Sequence, residues 1–509
     1  LSNNTALGWI WCNNNSLTNL NMRNGVTDQL TTFQATENSL TCIETLDPDY
    51  ATENWTYADE NIDEGVTFSV ICGSSDLSNW HVATTGSDSQ GDGAHHSPFE
   101  SIQTGINAAG DGDTIHVAAG TYVENINFNG KNISVIGENR ETTTIDGDSS
   151  GSVVTFNSNE DSTTVLSEFT ITNGLNSVGG GIYVNGSDPT LVDLIVSGNS
   201  TGRTGGQPSG GGICLRYSSS SIDNVTFEDN YAHYQGGGLE VRYSDITLTN
   251  SIFKGNYGGA NSGAGWFGFS SDVTIENVLA MDNEANYGYG AFGIYSNTDL
   301  YLTNSTLTDN ESGSGDALGV SSTSNAIVSN CIFYYNRDHN DVITGPIRLA
   351  GTNPSLDIQY SNVQGGQDAI IIGNSSTATA IVNWGDGNIN ANPLFCDPDS
   401  GDFSLAENSP SAGTGEDGSN MGAFDVECGS ITFDWHVSTT GSDSTGEGSE
   451  DNPFATIQHG INESNAGDAV LVAAGTYVEN ISFYGKNISV FGEDRETTII
   501  DGNETASVV

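Results

Sequence analysis

Two arginines are the first candidates for chemistry, because they recur at the same position of successive repeats. Arg216 and Arg242 each follow a Gly-Gly-Gly segment at nearly the same distance. Two guanidinium groups held side by side bind carboxylates well, so the pair could hold an anionic sugar. The alternative, and the more common arrangement, is that the pair neutralises the nearby Glu240 or Asp245. Both interpretations need one surface that carries both arginines.

Acidic loops offer oxygen ligands for a cation. The candidates are Asp88, Asp92, Asp111 and Asp113, which lie in segments that also contain glycine. Carboxylate oxygens suit Ca²⁺, but the spacing does not match the twelve-residue EF-hand loop. The sequence therefore predicts no required cofactor, with Ca²⁺ as the one candidate ion.

Aromatic residues cluster near the glycine segments on successive repeats. Such rings either stack on sugar rings or a partner chain, or pack as an internal ladder. The internal ladder is the favoured alternative. The residues concerned are Tyr231, Tyr234, Tyr257, Trp266, Phe267, Tyr287 and Tyr289.

The cysteines are few and predict disulfides more than metal sites. The chain has 7 Cys and no Cys-x-x-Cys pair, which argues against zinc. We expect disulfides from four of them, and these would place the protein outside the cytoplasm. The alternative is that they are small buried hydrophobic residues, as we expect of Cys12, Cys214 and Cys331. The four disulfide candidates are Cys42, Cys72, Cys396 and Cys428.

Short repeats position these residues. Six asparagines recur at a nearly constant interval: Asn199, Asn230, Asn256, Asn283, Asn310 and Asn336. A second set lies six positions before them, beginning with Asp193: Asn224, Asn250, Asn277, Asn304 and Asn330. Glycine clusters and short alternating apolar runs keep the same period. The interval falls within the range of about 20–50 residues that marks repeat architectures. With no room for a helix in each repeat, it predicts a right-handed parallel β-helix, in which the asparagines stack as ladders and glycines take the corners.

A longer repeat divides the chain. Residues 80–154 and 435–509 are identical at 49 of 75 positions without a gap. The prediction is a β-helix module at 80–434 and the start of a tandem second module at 435–509. Both ends of the chain interrupt such patterns, so we expect a segment of a longer protein. His95-His96 is replaced by Glu450-Asp451 in the second copy, which favours a solvated loop over a metal site.

A short amphipathic helix is predicted at the start of the module. Ser97 is a candidate N-cap, Pro98 suits the first helical position, and Glu100 follows three positions after the cap. Phe99 and Ile102 would share its buried face. Such a helix would cover the open end of the β-helix and shield its edge strands.

The N-terminal segment, residues 1–79, has a different pattern. Its stretch Ala6-Leu7-x-x-Ile10-x-Cys12-x-x-Asn15-x-Leu17-x-x-Leu20 resembles a bacterial leucine-rich repeat. That resemblance implies that residues 1–79 form the last leucine-rich-repeat turns and their cap.

The module itself resembles the pectin-lyase-like superfamily. The resemblance rests on residues 114–147, from Thr-Ile-His-Val-Ala-Ala-Gly-Thr-Tyr through Lys-Asn-Ile-Ser-Val-Ile-Gly to Ile-Asp-Gly. It implies a parallel β-helix, and it leaves function open because that superfamily contains pectate lyases, polygalacturonases, pectin methylesterases and non-enzymatic surface proteins. Together with leucine-rich repeats, the modules resemble giant secreted surface proteins of Bacteroidota.

A complete catalytic constellation is missing from the sequence. Asn297-Thr298-Asp299 matches one polygalacturonase element, but its partner motifs do not follow. The prediction is therefore no catalytic residue and no enzyme. The leading interpretation is an extracellular structural or adhesive segment; the alternative is a polysaccharide-binding or polysaccharide-degrading β-helix protein.

Composition limits the partners. With 65 acidic residues against 11 Lys plus Arg, the formal charge is -54, which excludes the basic footprint of a nucleic-acid-binding protein. No apolar stretch is long enough to span a membrane. We expect a secreted, cell-surface protein that self-associates into a homo-oligomer or fibre and contacts a cell-surface glycan or another cell-surface target.

Overall fold

The computed structural model describes residues 6–25, 27–72, 78–203, 207–340, 342–343, 345–373, 379–493, 497–503 and 507–509. Its main body is a parallel β-helix, in which each coil contributes one short strand to each of three long sheets. All strand pairs within these sheets are parallel, with residue-to-residue register between coils. The predicted all-β solenoid is confirmed.

Sheets A and B form two sides of the coil. Sheet A consists of Asn79–Val82, Thr114–Val117, Ser134–Gly137, Val165–Ser167, Thr190–Val192, Ser221–Asp223, Asp245–Thr249, Asp272–Glu276, Asp299–Thr303, Asn325–Ser329, Ser355–Gln359 and Ile381–Trp384. Sheet B consists of Gly120–Val123, Thr143–Asp146, Thr170–Thr172, Ile195–Ser197, Thr226–Glu228, Ile252–Lys254, Leu279–Met281, Thr306–Thr308, Ile332–Tyr334 and Asn362–Val363.

Sheets C and D form the remaining side. Sheet C consists of Ile126–Asn127, Val154–Phe156, Ile182–Asn185, Ile213–Arg216, Leu239–Arg242, Gly265–Gly268, Phe292–Tyr295, Leu318–Ser321, Ile347–Ala350 and Ile371–Ile372. The short sheet D, between sheets B and C in each coil, consists of Leu175–Asn176, Ser200–Thr201, Tyr231–Ala232, Tyr257–Gly258, Glu284–Ala285, Glu311–Ser312 and Arg337–Asp338.

The core fills the interior of the coils with aligned side chains. Strand residues alternate between inside and outside, so equivalent apolar residues of successive coils stack on one another. Phe227 and Phe253 stack with ring centroids 4.2 Å apart, and Phe253 meets Phe292 edge-on. The burial of these rings stabilises each coil only through its neighbours.

The first asparagine set forms an interior ladder. Each side-chain amide from Asn199 to Asn310 donates to the Oδ1 atom of the next asparagine at 2.9–3.1 Å. The same amides donate to buried backbone carbonyls, and their oxygens accept from backbone N–H groups of the preceding coil. The ladder therefore satisfies polar backbone atoms at the turn between sheets B and D.

The second asparagine set has a different role. Its members lie at the turn between sheets A and B in the left-handed conformation, with φ of 51° at Asn224 and 55° at Asn277. Asn277 donates to Asn250, whereas Asn224 and Asn304 bond to carboxylates instead. The prediction of a second amide ladder is therefore wrong here. Asparagine takes these corners because its short polar side chain tolerates φ > 0.

The glycine segments are required by close approach between coils. Only the first glycine of the early segments has positive φ, as at Gly210 and Gly236. A Cβ atom on Gly211 would lie 2.5 Å from the carbonyl oxygen of Gly237 in the next coil. A side chain at these positions would push neighbouring coils apart.

The short helix at the start of the module begins later than predicted. It spans Ile102–Ala108, and Ser101 rather than Ser97 is its N-cap. The carboxylate of Asp88 accepts from the backbone N–H groups of Glu100 and Ser101, which keeps this segment extended. Ile102 is buried against the first strands, as a capping helix requires.

The N-terminal residues form a separate apolar cluster. Trp9–Trp11 pairs in parallel with Thr32–Gln34, and Cys42–Glu44 pairs with Thr67–Ser69. A helix spans Pro48–Asn54, and Cys42 is joined to Cys72 by a disulfide. The leucine-rich-repeat assignment and the boundary at residue 79 stay predictions.

The segment after the last coil folds back over the outside of sheet B. Its strands are Phe395–Asp397, Asp402–Ala406 and Val426–Cys428, with a disulfide between Cys396 and Cys428. Phe403 and Met421 are buried in one cluster with residues of sheet B such as Met281. The outer face of sheet B is therefore covered over several coils.

The second copy repeats the opening of the first. Its strands are Trp435–Val437, Ala469–Val472, Gly475–Val478, Ser489–Gly492 and Thr498–Asp501, and its helix is Ile457–Glu463. It has its own buried cluster, which includes Phe454 and Ile461. The module boundaries at 80–434 and 435–509 stay predictions. No helix in the described part of the chain is long and apolar enough to cross a membrane.

Candidate functional site on the outer face of sheet C

The outer face of sheet C brings the predicted arginines together. Arg216 and Arg242 are register partners on adjacent strands. Cys214 and Glu240, two positions earlier on the same strands, project from the same face but are fully buried. The face is therefore an assembled polar cluster and not a row of solvated side chains.

Glu240 is the shared partner of both arginines. Arg216 Nη2 lies 3.1 Å from Glu240 Oε2, and Arg242 Nε donates to Oε1 at 2.6 Å. The Cys214 thiol donates to Oε2 at 2.9 Å. Of the two acidic partners proposed from the sequence, Glu240 is the one that contacts both arginines. A carboxylate without solvent exposure is tolerable only when it is paired in this way.

The charge state of Arg216 bears on its chemistry. Burial alone lowers the pKa of the guanidinium, but the Glu240 carboxylate favours the charged form, and the pKa lies above its ordinary value. Arg216 therefore stays protonated and cannot accept the proton of a substrate as a general base. Its role is to bind or to position.

An aromatic shelf, which we define as Tyr217, Tyr243 and Phe269, borders the cluster. The rings of Tyr217 and Tyr243 stack with centroids 5.0 Å apart and planes 3° apart, and Phe269 continues the stack at 5.3 Å. Tyr217 is 60% exposed and Tyr243 47% exposed. All three adopt the left-handed conformation, with φ between 51° and 62°. Bulky residues seldom take this conformation, and such strain collects at functional sites.

One face of the shelf is open. Gly186 occupies the position of Tyr217 in the preceding coil, since its N–H donates to the carbonyl oxygen of Arg216. A Cβ atom on Gly186 would have no neighbour within 4 Å. Glycine therefore leaves the ring face of Tyr217 that points toward the preceding coil without a stacked ring from that position, and the Tyr217 side chain is 60% exposed.

The cluster and the shelf are joined by Arg242. Its guanidinium lies 5.0 Å from the ring centroid of Trp266 and 5.2 Å from that of Phe269. Trp266 in turn stacks on Tyr295. The Nε1 atom of Trp266 is buried and has no acceptor among the described residues. An unmet donor of this kind is suited to a ligand hydroxyl or a bound water.

The sequence predicted part of this site. It identified both arginines but not Tyr217, Tyr243 and Phe269. The missed signal is the dipeptide Arg-Tyr, which occurs at 216–217 and again at 242–243 in the next repeat. The aromatic residues that were identified from the sequence divide between the two alternatives, internal packing and an exposed stacking surface. Phe267 is in the core, whereas Tyr287 is 76% exposed.

The aspartates proposed as calcium ligands accept hydrogen bonds from backbone N–H groups. Asp88 accepts from Glu100 N–H just before the helix Ile102–Ala108, and Asp92 accepts from Ala94 N–H. Asp111 accepts from Asn132 N–H, and Asp113 accepts from Gly110 N–H. As oriented, the described residues contain no group of three or more His, Cys, Asp or Glu side chains that could hold a metal ion.

The comparisons with known proteins bear first on the fold. A family model described as "Right handed beta helix region" matches residues 180–383. The β-helix is right-handed. No curated protein matches the chain.

Several solved structures are similar to this chain at low sequence identity. Pectate lyase Pel9A is 15% identical with a TM-score of 0.39, over 69% of this chain and 96% of that one. Pectin methylesterase from carrot is 13% identical with a TM-score of 0.32, over 58% and 88%. A rhamnogalacturonan lyase is 12% identical with a TM-score of 0.28, over 62% and 90%. At these values no active-site residue can be transferred to this chain.

These structures nevertheless correct one prediction. Each of the three is named as a lyase or an esterase. The prediction that the chain is not an enzyme is therefore wrong as a conclusion from this fold. The absence of a known motif was its only support, and an active site is defined by geometry rather than by sequence order.

Proposed function

We propose that the chain is a secreted carbohydrate-active β-helix protein that binds a polysaccharide along the outer face of sheet C. The open ring face of Tyr217, above Gly186 and beside the Arg216–Glu240 pair, is the observation that carries the proposal. Sugar rings pack on exposed aromatic faces, and guanidinium groups donate to their hydroxyl oxygens. No comparable surface among the described residues supports the adhesive or fibre-forming role.

The charge of the chain favours a neutral polymer. The formal charge of -54 repels a polyuronate at long range. At the site itself, two arginines and one glutamate leave a single positive charge. We therefore expect neutral polysaccharides to bind more tightly than acidic ones at physiological ionic strength.

The secreted location rests on the two disulfides. Disulfides persist in oxidising compartments and are rare in the cytoplasm. Cys42–Cys72 and Cys396–Cys428 are both formed. Self-association and contact with a cell-surface glycan stay untested.

The experiment is a binding and turnover screen of the full chain against neutral and acidic polysaccharides. Tyr217→Ala should weaken binding of the best ligand about tenfold, as expected for the loss of one stacked ring. Tyr301→Ala is the matched control, because Tyr301 is 43% exposed on sheet A, away from the shelf. Release of reducing ends or unsaturated products is measured on the same panel.

The outcomes are distinct. Binding that falls in Tyr217→Ala but not in Tyr301→Ala supports the proposal, whether or not the polymer is cleaved. Equal affinity in all three proteins, or no binding by any of them, overturns it.

A further inference from the structure

Two consecutive glycines interrupt the outer face of sheet C beyond the polar cluster. The register partners that follow Glu240 along this row are Trp266, Gly293, Gly319 and Arg348. A strand position without a side chain often marks a place where another group approaches closely. Gly293 and Gly319 therefore form a depression between the tryptophan and the arginine, which we call the glycine depression.

The ring of Tyr289 fills the glycine depression. A Cβ atom on Gly319 would lie 2.0 Å from Cε2 and Cζ of Tyr289, and a Cβ atom on Gly293 would lie 2.8 Å from its Cδ2. Tyr289 is only 6% exposed, but it precedes the strand Phe292–Tyr295 and belongs to no strand itself. A change of its rotamer would therefore empty the depression and leave the strand pairs of sheet C intact.

Polar atoms beside this ring lack partners. Ser262 Oγ lies 2.4 Å from the Cβ position of Gly293, next to the tyrosine ring. Within the described part of the chain, no hydrogen-bond partner reaches Ser262 Oγ, Trp266 Nε1 or Asp316 Oδ1, and all three atoms are buried. Buried polar atoms without partners lower stability, so an aromatic ring is a poor occupant of such a place. A ring that carries hydroxyl groups would satisfy them.

Asp316 is held so that one of its oxygens stays available. Its Oδ2 atom accepts from Arg348 Nε at 2.5 Å and from Ser314 Oγ at 2.6 Å. The carboxylate also lies near the tyrosine, because burial raises the pKa of Tyr289 to about 12 and Asp316 contributes to that rise. An acceptor that is fixed in this way is suited to the hydroxyl group of a sugar.

We propose that the glycine depression is a second subsite of the polysaccharide surface, which Tyr289 covers in the free protein and which a neutral sugar ring occupies when the tyrosine moves aside. Trp266 Nε1 then donates to one sugar hydroxyl, Asp316 Oδ1 accepts from another, and Ser262 Oγ can do either. A uronate is disfavoured at this subsite, because the Asp316 carboxylate repels a second carboxylate.

The inference rests on the proposed function, because one polymer would contact both parts of the surface. The strand of Gly319 lies four strands beyond Ile213–Arg216, which directly precedes Tyr217. At the inter-strand spacing of about 4.8 Å this separation is about 19 Å. An extended hexasaccharide can therefore reach from the aromatic shelf to the glycine depression.

The first test follows tyrosine nitration of the full chain, with cellohexaose, xylohexaose and mannohexaose as probes. Tetranitromethane modifies exposed tyrosine rings, and peptide mass spectrometry measures each position. In the free protein we expect Tyr287, which is 76% exposed, to react and Tyr289 to be protected. A saturating hexasaccharide should raise the nitration of Tyr289 at least about threefold, because it shifts the population toward the open rotamer. Nitration of Tyr217 should fall in the same sample.

The second test is Trp266→Phe, which keeps an aromatic ring and removes the Nε1 donor. Hexasaccharide affinity should fall about tenfold, because a sugar hydroxyl loses its donor. Trp80→Phe is the matched control, because Trp80 Nε1 donates to Asp113 Oδ2 at 3.0 Å on sheet A. It should leave the affinity unchanged. Urea unfolding should show a smaller loss of stability in Trp266→Phe than in the control, which breaks an existing hydrogen bond.

The outcomes separate this inference from the proposed function. Protection of Tyr217 without a rise in Tyr289 nitration overturns the subsite and leaves the proposed function standing. An affinity that is unchanged in Trp266→Phe also overturns the subsite, since Trp266 Nε1 then meets a bound water alone. If no hexasaccharide binds and neither tyrosine responds, both proposals fail. The nitration test uses the unaltered chain, so it does not depend on the folding of a variant.

Discussion

At the scale of single residues, Glu240 holds the polar cluster of sheet C together. Arg216, Arg242 and the Cys214 thiol all contact its carboxylate, and no part of it is exposed. The sequence indicated the arginines and a nearby acid, because their spacing repeats. It did not show which acid, because the choice depends on which side of the strand each residue faces.

Glu240→Gln should destabilise the protein by about 3 kcal/mol, since it leaves two partly buried guanidiniums without a counter-charge. Denaturant unfolding followed by circular dichroism measures the change. Asp245→Asn is the control, because Asp245 is exposed and its Oδ1 acceptor is retained; its effect should stay within about 0.5 kcal/mol. Equal effects of the two substitutions would contradict the assigned role of Glu240.

The aromatic shelf could not be predicted from residue type. Tyrosine is rare at positive φ, so residue type offered no reason to place Tyr217 and Tyr243 at a corner, and only their recurrence after an arginine in successive repeats indicated it. Their position follows from the short turn after sheet C, and the stack forms because successive coils repeat that turn.

At the scale of elements, the interior asparagine ladder was predictable and the helix start was not. The ladder follows from spacing alone. The helix start depends on Asp88, whose carboxylate reaches Glu100 and Ser101 through the tertiary structure. A tertiary contact of this kind overrides the local capping preference of a residue such as Ser97.

Asn283→Ala should cost about 3 kcal/mol, because the side chain bonds Phe253 and Met281 carbonyls and both neighbouring asparagines. Asn277→Gly is the matched control at the exposed corner, where glycine tolerates the observed φ of 55°. We expect it to cost less than about 1 kcal/mol. Urea unfolding compares them, and a control as destabilised as Asn283→Ala would count against the ladder as a source of stability.

At the scale of the whole molecule, the solenoid was predictable from its period, but the covering of sheet B was not. Phe403 and Met421 pack against residues more than a hundred positions earlier in the chain. The repeat pattern of the sequence gives no information about a contact between the returning segment and sheet B. The sequence-based prediction kept a polysaccharide-degrading protein as the alternative only, because no complete motif of a known enzyme family is present in the sequence.

The charge of the molecule predicts a response to salt. With a formal charge of -54, the folded chain repels itself, and salt screens this repulsion as the Debye length falls from about 30 Å at 0.01 M to about 10 Å at 0.1 M. The melting temperature should therefore rise over this range. Tetramethylammonium chloride is the control for specific cation binding and should give the same rise. A melting temperature that is flat or falls with salt would contradict the prediction.

The shared register of the coils has a consequence for the height of the aromatic stack. Adding a coil that keeps the Arg-Tyr pair would extend the aromatic stack by one ring without altering the core, because each strand pairs only with its neighbours. Removing one would shorten the stack by the same step. Because each ring in the stack covers a face of its neighbour, the number of coils would set the height of the aromatic stack, while the proposed sugar contact stays at the open ring face of Tyr217.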